Sequence, residues 1–580
     1  MSIPTFQQLK RHLKQKADSL PTIKMAVLGN WATQLYSQAL EGYAASQGYE
    51  LDLFEGDYDQ MDLQIQSPDS ALYAARPDVV VLHLSSQKLR QSYWAAFGAE
   101  KSYVLADRYL QKFDQYLQLL KTRLECQVIV STLVELPDPV FGNYAGQTNV
   151  SWGYQVRKFN LGLMDLAAVH DHAFLLDTAA LHHHAGFKSA HDPQVWINAA
   201  IPFSLDFLPI LAKNTMDIVL TKKGKFKKCL ILDLDHTTWG GVIGDDGIEG
   251  IQVGQLGLGK AFTELQSWAK ALKARGIILG ICSKNTESVA KVPFEAHPEM
   301  TLRLEDISIF VANWENKADN LRYIQQVLNI GMDSIVFLDD NPFERNLVRD
   351  QLPDITVPEL PEDPALYLDF VSSLNLFETA SYASEDAGRT EKYRQEAARR
   401  ALQQQFNSID DYLGSLGMQA TFRDFDTFHV PRIAQLTQRS NQYNLRTIRY
   451  DEAGIRSLMD NPGKAGYYVR LQDTYGDYGL ISVLILEKQE EGYFIDTWLM
   501  SCRVLKRGVE FLVLNELVRL TKEAGLPYLI GEYLATPKNK LVEQHYADLG
   551  FEARDGRWYL DIASYQPREH FIELKPEKTS

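Results

Sequence analysis

The sequence predicts a multidomain α/β protein: a central doubly wound sheet, preceded by an α/β domain and followed by an α+β domain. Three observations carry this. The chain has 580 residues, well past the size at which one core keeps growing, so three or four domains are expected. Short apolar runs alternate with amphipathic helical stretches through the first two blocks, the pattern of mostly parallel sheets. In the last block the apolar runs follow one another directly, as antiparallel strands do.

Taken in order, the first block covers residues 1–220. IKMAVLG (23–29) is an apolar run closed by glycine, and Leu35, Tyr36, Ala39 and Tyr43 then recur at helical spacing. PDVVVLHL, CQVIVST and HAFLLD are further candidates for buried strands. The lysine-rich TKKGKFKK (221–228) reads as a solvated linker in so acidic a chain. The second block, 225–370, opens on the strand CLILDLD. Phe262, Leu265, Trp268 and Leu272 share one helical face, with Gly276 as the stop. IILGIC is a strand, KADNLRYIQQVLNIG a second helix, and SIVFL a strand running into Asp339-Asp340. Residues 371–405 read as a charged helical connector. In the third block, 406–580, YYVRLQD, GLISVLILEK and GYFIDTWLMS are consecutive strands. A helix over 508–524, a strand in YLIGEYL and a short helix in LVEQHYADLG follow.

Composition removes several functions. The chain carries 59 basic and 75 acidic residues, a net charge of −16, which disfavours nucleic acid and anionic membranes as partners. No apolar run approaches the roughly 18 residues of a membrane span. The opening MSIPTFQQLKRHLKQKADSL lacks the apolar block of a secretory signal. Cys126, Cys229, Cys282 and Cys502 show no CxxC or finger spacing, so a reducing, cytoplasmic setting is expected. A P-loop or GxGxxG with its partners is absent, which argues against a nucleotide-binding enzyme.

Chemistry concentrates in the second block, where ligands gather beyond the carboxyl ends of strands. Asp233 and Asp235 follow CLIL directly. Two carboxylates two residues apart share one side of an ideal strand. One can attack phosphorus while the other manages the leaving-group proton. Ser283, in ICSKN, offers a hydroxyl and backbone N–H groups to phosphate oxygens. Lys317 opens a helix, where its ammonium and the helix dipole both favour anions. Asp339 and Asp340, with Asp233, supply hard oxygen ligands suited to Mg²⁺. Such a cluster repels itself and a phosphate unless a divalent cation and a lysine offset the charge. In the first block, His182, His183 and His184 are adjacent in sequence and cannot easily share one metal geometry.

DLDHT, ICSKN, NWENK and FLDDNP resemble the four motifs of the haloacid dehalogenase (HAD) superfamily, which works through an aspartyl-phosphate with Mg²⁺. More narrowly, LDLDHTTWGGVIGDDG, ICSKN and FLDDNPFERN resemble the FkbH-like family. LGNWATQ in the first block and LTQRSNQYNLRT, YGDYGLIS, SCRVLKRGVE and GEYLATPKN in the third extend the likeness over nearly the whole chain. The resemblance implies an enzyme that takes 1,3-bisphosphoglycerate, removes its phosphates and loads the glyceryl group onto an acyl carrier protein for polyketide-type biosynthesis. Without the acyl transfer, a HAD phosphatase on another small phosphorylated metabolite remains the alternative.

Carried over by position, Asp233 is the nucleophile and Asp235 the general acid/base. Thr237, Ser283 and Lys317 hold the phosphoryl group, and Asp233, Asp235, Asp339 and Asp340 bind Mg²⁺. His236 stands where the family often has Asn. Cys282 is the expected acyl-carrying thiol, activated by nearby positive charge, with Cys502 as its rival. On a regular strand, Cys282 and Ser283 point to opposite faces.

The first block resembles the SGNH-hydrolase fold without its chemistry. Gly29-Asn30-Trp31 stands where Gly-Asp-Ser is expected, and Asp177 lacks its following Asp-x-x-His partner. A docking or scaffolding role is implied. The third block resembles the GNAT acyltransferase fold. Arg503, Lys506, Arg507 and Gly508 occupy its pyrophosphate-binding turn, with Lys506 in place of a glycine. Those four residues are the candidates for receiving a carrier's phosphopantetheine arm.

Overall fold

The computed structural model describes residues 3–15, 20–97, 104–379, 408–440, 443–501, 504–536 and 539–575. The chain divides into two compact units, Met1–Thr390 and Glu391–Ser580. The charged connector expected over 371–405 lies, from residue 380 on, outside the described residues.

The first unit holds two parallel sheets. Strands β1 (Thr22–Gly29), β2 (Glu50–Glu55), β3 (Val79–His83), β4 (Gln127–Ser131) and β5 (Ala173–Leu176) pair in the order β2-β1-β3-β4-β5. Successive side chains of these strands enter two different cores. Met25, Val27, Val79 and Val81 pack with Tyr36, Leu40 and Tyr43 on one face. Ala26, Leu28, Val80 and Leu82 pack with Phe113, Leu117 and Phe159 on the other. Each such buried side chain contributes about 1.5–3 kcal/mol, and burial on both faces explains why the strands are apolar throughout. Strand β2 escaped the sequence reading because ELDLFE, at the sheet edge, mixes charged and apolar residues.

Between β1 and β3 the strand order reverses, the place where open α/β sheets bind ligands. Here Trp31 fills it. The indole Nε1–H donates to His83 Nδ1 at 3.1 Å, and the ring packs against His83 and Phe203. Burial pushes His83 down to about 3. Asn30 accepts from the Ser85 N–H at 2.7 Å, and Asp177 caps the helix Thr178–Ala185. His182 is buried and pushed down to about 4 by desolvation, while His183 and His184 are exposed.

The second sheet comprises β6 (Cys229–Leu232), β7 (Ile278–Ser283), β8 (Ile309–Ala312) and β9 (Ile335–Leu338), all parallel, in the order β8-β7-β6-β9. Strand β8 and the helix Glu287–Ala296 add one crossover to the sequence reading. The lysine segment before β6 is not wholly solvated. The Lys227 ammonium donates to the Asp333 carbonyl at 2.6 Å, and burial pushes its pKa down to about 8.

The second unit is a mixed eight-stranded sheet of β10 (Met418–Asp424), β11 (Lys464–Asp473), β12 (Gly476–Lys488), β13 (Gly492–Met500), β14 (Tyr528–Gly531), β15 (Glu552–Arg554), β16 (Arg557–Asp561) and β17 (Ile572–Leu574). The order is β15-β16-β14-β13-β12-β11-β10-β17. Helix Val509–Glu523 buries Leu512, Val513 and Leu517 against Val469, Leu471 and Leu484 on one face. Helices Val430–Arg439 and Glu452–Met459 bury Ile433, Ile455 and Leu458 against Val483 and Ile485 on the other. Strand β14 pairs with β13 only at Gly492, Tyr493 and Phe494. Beyond that point a different segment takes the edge of β13. Leu445 N–H donates to the Trp498 carbonyl at 3.2 Å, and Met500 N–H to the Tyr443 carbonyl at 3.0 Å. Among the described residues, no helix is long and apolar enough to cross a membrane.

Candidate active site

Strand β6 lies between β7 and β9, so the carboxyl ends of all three converge. The chain leaves β6 at Leu232, and the Asp233 N–H still donates to the Leu338 carbonyl of β9 at 2.9 Å. Three residues on, His236 has φ of 57°. That left-handed region is one where Asn, Asp and His are enriched several-fold among non-glycine residues. The turn therefore accepts His without unusual strain.

Lys317 is the first residue of helix Lys317–Leu328, whose N-cap Asn316 accepts from the Ala318 N–H. The ammonium lies 2.7 Å from Asp339 Oδ2 and 3.0 Å from Asp233 Oδ2. All three side chains are buried. Asp233, Asp339 and Asp340 each offer an oxygen within 4.8 Å of the others. Asp233 Oδ1 is buried with no hydrogen-bond partner. Desolvation, then repulsion by Asp233, pushes Asp339 up to about 7 against the pull of Lys317. Desolvation and Asp233 also raise Asp340. Three clustered carboxylates, two of them sharing one lysine and one carrying an orphaned oxygen, suit a hard divalent cation.

The raised Asp339 has a consequence for the metal-free protein. A folded pKa of about 7, above the ordinary carboxylate value, means the folded state binds that proton more tightly than the unfolded chain. The resulting stabilisation is complete at acid pH and is lost as pH rises through about 7. Asp339→Asn, which cannot ionise, is therefore expected to gain in Tm relative to wild type between about pH 5 and pH 7.5 without metal. Thermal melts in chelator at both pH values check this, and a pH-independent difference would contradict it.

Asp235 departs from the expected metal set. Its Oδ1 accepts from the Trp239 indole at 2.9 Å and the Ile243 N–H at 3.0 Å, and its Oδ2 accepts from Asn285 at 3.1 Å. The side chain does not join the carboxylate group formed by Asp233, Asp339 and Asp340. Two aspartates would share a side only on a continuing strand, and the chain turns at Asp233. Desolvation raises Asp235, which favours the protonated acid. Thr237 also differs from its expected phosphate-binding role. Its hydroxyl donates to Asp340 Oδ1 at 3.1 Å and accepts from the Asp340 N–H at 3.0 Å. It ties the β6 loop to the β9 loop. Ser283 is buried at the carboxyl end of β7, the strand that pairs with β6.

Further residues, two of them inside the recognised motifs, shape the site without being legible from the sequence. Asn285, in ICSKN, orients Asp235. Arg345, in DDNPFERN, donates from one nitrogen to the carbonyls of Asp339 and Asp340 at 2.8 and 2.5 Å, fixing the loop that carries both carboxylates. The Tyr367 hydroxyl donates to the His236 carbonyl at 3.3 Å.

The surroundings of Cys282 work against the expected activation. Its side chain is fully buried, and its Sγ lies 3.8 Å from the Lys317 carbonyl. Desolvation pushes the thiol well above its ordinary range, outweighing the favourable charge of Lys317. Cys126 and Cys229 are buried and raised for the same reason. Cys502 and Arg503 lie outside the described residues. In the same turn, Lys506 and Gly508 adopt φ of 61° and 79°. Arg507 is buried, 3.5 Å from Asp473 and hydrogen-bonded to the Tyr478 hydroxyl.

Comparison with known proteins places these features. The FkbH N-terminal domain family matches residues 24–220. The crystal structure of the N-terminal part of protein BF1531 from Bacteroides fragilis contains a phosphatase domain complexed with Mg. It is 48% identical to this chain over 65% of its length and all of that structure, with a TM-score of 0.63. Ribosomal-protein-S18-alanine N-acetyltransferase from Escherichia coli is 15% identical over 24% of this chain and 89% of its own, with a TM-score of 0.19. Spermidine N-acetyltransferase from Vibrio cholerae is 13% identical over 25% of this chain and 96% of its own, with a TM-score of 0.21. A search of curated proteins finds no match. The domain built on β6–β9 is a HAD-type phosphatase domain, and the protein is an enzyme of that class. With the N-terminal match and the near half identity to BF1531, the chain belongs to the FkbH-like family.

Proposed function

We propose that this enzyme removes phosphate from 1,3-bisphosphoglycerate in a Mg²⁺-dependent site and passes the glyceryl group to an acyl carrier protein in the cytoplasm. The observation that carries the phosphatase half is Lys317 held between Asp233 and Asp339, with Asp340 alongside.

Asp233, Asp339 and Asp340 hold Mg²⁺, and Lys317 and Ser283 hold the phosphoryl oxygens. When bound, the metal polarises the phosphoryl group and offsets the charge of the approaching carboxylate. Asp233 attacks the 3-phosphorus, and the C3 oxygen leaves with a proton from Asp235. Asp235, raised by desolvation and oriented by Trp239 and Asn285, is left as a carboxylate by that donation and then accepts a proton from the water that hydrolyses the aspartyl-phosphate. At the other end of the substrate, a thiolate attacks the C1 carbonyl of the acyl phosphate and expels phosphate, giving a thioester.

The buried, raised thiols of Cys126, Cys229 and Cys282 leave Cys502, with Arg503, Lys506 and Arg507 close by in sequence, as the acyl carrier of choice. Intact-protein mass spectrometry after incubation with 1,3-bisphosphoglycerate and Mg²⁺ is the test. A glyceryl adduct is expected in wild type and Cys282→Ala and absent in Cys502→Ala. Loss of the adduct in Cys282→Ala would return the role to that residue. Phosphate release with no adduct in any variant would favour a plain phosphatase on another small metabolite.

A further inference from the structure

One cation at this site is not explained by phosphoryl transfer at Asp233. Lys284 follows Ser283 at the carboxyl end of β7 and precedes Asn285, which touches Asp235. Its ammonium donates to Glu344 Oε1 at 2.6 Å. Glu344 lies in the first turn of helix Pro342–Gln351, just after Asp339 and Asp340. Strands β7 and β9 flank β6, so their ends lie about 10 Å apart, two strand spacings. The ion pair joining them spans the end of β6, where Asp233 stands.

Glu344 is placed for this purpose by its surroundings. It is the third helical residue after N-cap Asn341, a position from which glutamate commonly reaches back to the N-cap N–H. That N–H is already held by Asp339 Oδ1 at 2.9 Å. Glu344 turns inward instead, with 7% of its side chain exposed. One oxygen meets Lys284 and the other, Oε2, is buried without a partner. Lys284 keeps 35% of its side chain exposed. An ammonium has three N–H donors, and Glu344 takes one. A buried carboxylate thus pins a partly exposed cation one residue before Asn285, which holds Asp235, and Lys317 has other partners.

We propose that Lys284, positioned by Glu344, reads a second anionic group at the far end of the phosphorylated substrate. This deepens the phosphatase reading above and rests on it.

The test uses the full chain with Mg²⁺ and compares 3-phosphoglycerate with glycerol 3-phosphate, which differ by a carboxylate against a hydroxymethyl group. Wild type is expected to prefer the acid by about tenfold in kcat/KM, the effect of one charge-assisted hydrogen bond. Lys284→Met is expected to erase that preference, chiefly through KM for the acid, and Lys284→Arg to retain most of it. A wild type without preference, or a Lys284→Met that lowers both substrates alike, overturns the assignment. If p-nitrophenyl phosphate is turned over while the two probes are not distinguished, this assignment alone falls. If none of the three releases phosphate, the phosphatase reading falls and takes it along.

Discussion

Asp233→Asn is expected to lower Mg²⁺-dependent phosphate release by about a thousandfold or more, because the amide is nearly isosteric but cannot attack phosphorus. The fold is expected to gain from the change. Asp233 and Asp339 share one lysine, and repulsion between them is part of what raises Asp339. With a neutral amide in place, Lys317 pairs with Asp339 alone. Activity should therefore vanish while the metal-free Tm rises. A variant that keeps a tenth of the activity would remove Asp233 from the nucleophile's role, and a fall in Tm would contradict the repulsion.

Lys317→Met is expected to have the opposite effect on stability. It leaves two buried carboxylates facing each other with no counter-charge, a loss of about 3–5 kcal/mol for breaking such a pair from one side. Protonation of Asp339, already raised, softens the loss at acid pH, so the variant should be weakest above about pH 7. Adding Asp339→Asn to Lys317→Met should restore part of the stability but none of the activity. Urea unfolding of the two variants checks the first statement, and phosphate release the second. Equal instability of single and double variants would show that the lysine acts through packing rather than charge.

Much of this site was legible because its residues sit at the ends of strands that are buried on both faces. CLIL, IILGIC and SIVFL could be only short apolar strands, and the polar residues after them had to gather at one edge. What stayed hidden depended on the third dimension. Strand β8 is four residues long and β10 reads MQATFRD, so neither shows a period that single-sequence reasoning can catch. The spacing of Asp233 and Asp235 suggested one shared direction. The strand ends at Leu232, so the two carboxylates part, one going to Lys317 and the other to Trp239 and Asn285. Cys282 lies in the strand that the apolar run IILGIC predicts. Only the packing of helix Lys317–Leu328 over that strand shows how completely water is kept from the thiol. Asn285, Arg345 and Glu344 lie within recognised motifs, but their partners are 50 or more residues away for the first and a backbone turn or a lysine on another strand for the others.

In the second unit, Tyr443 and Leu445 occupy the stretch of β13 that β14 leaves uncovered. An open stretch of this kind, with unpaired N–H and C=O groups beside a well-formed sheet, is a template for strands of other molecules. Here those groups are satisfied from within the same unit, and the two outermost strands, β15 and β17, have three residues each. Among the described residues, this stretch of β13 therefore presents no open edge to a neighbouring chain, and that protection against strand-by-strand aggregation is built into the path of the backbone itself.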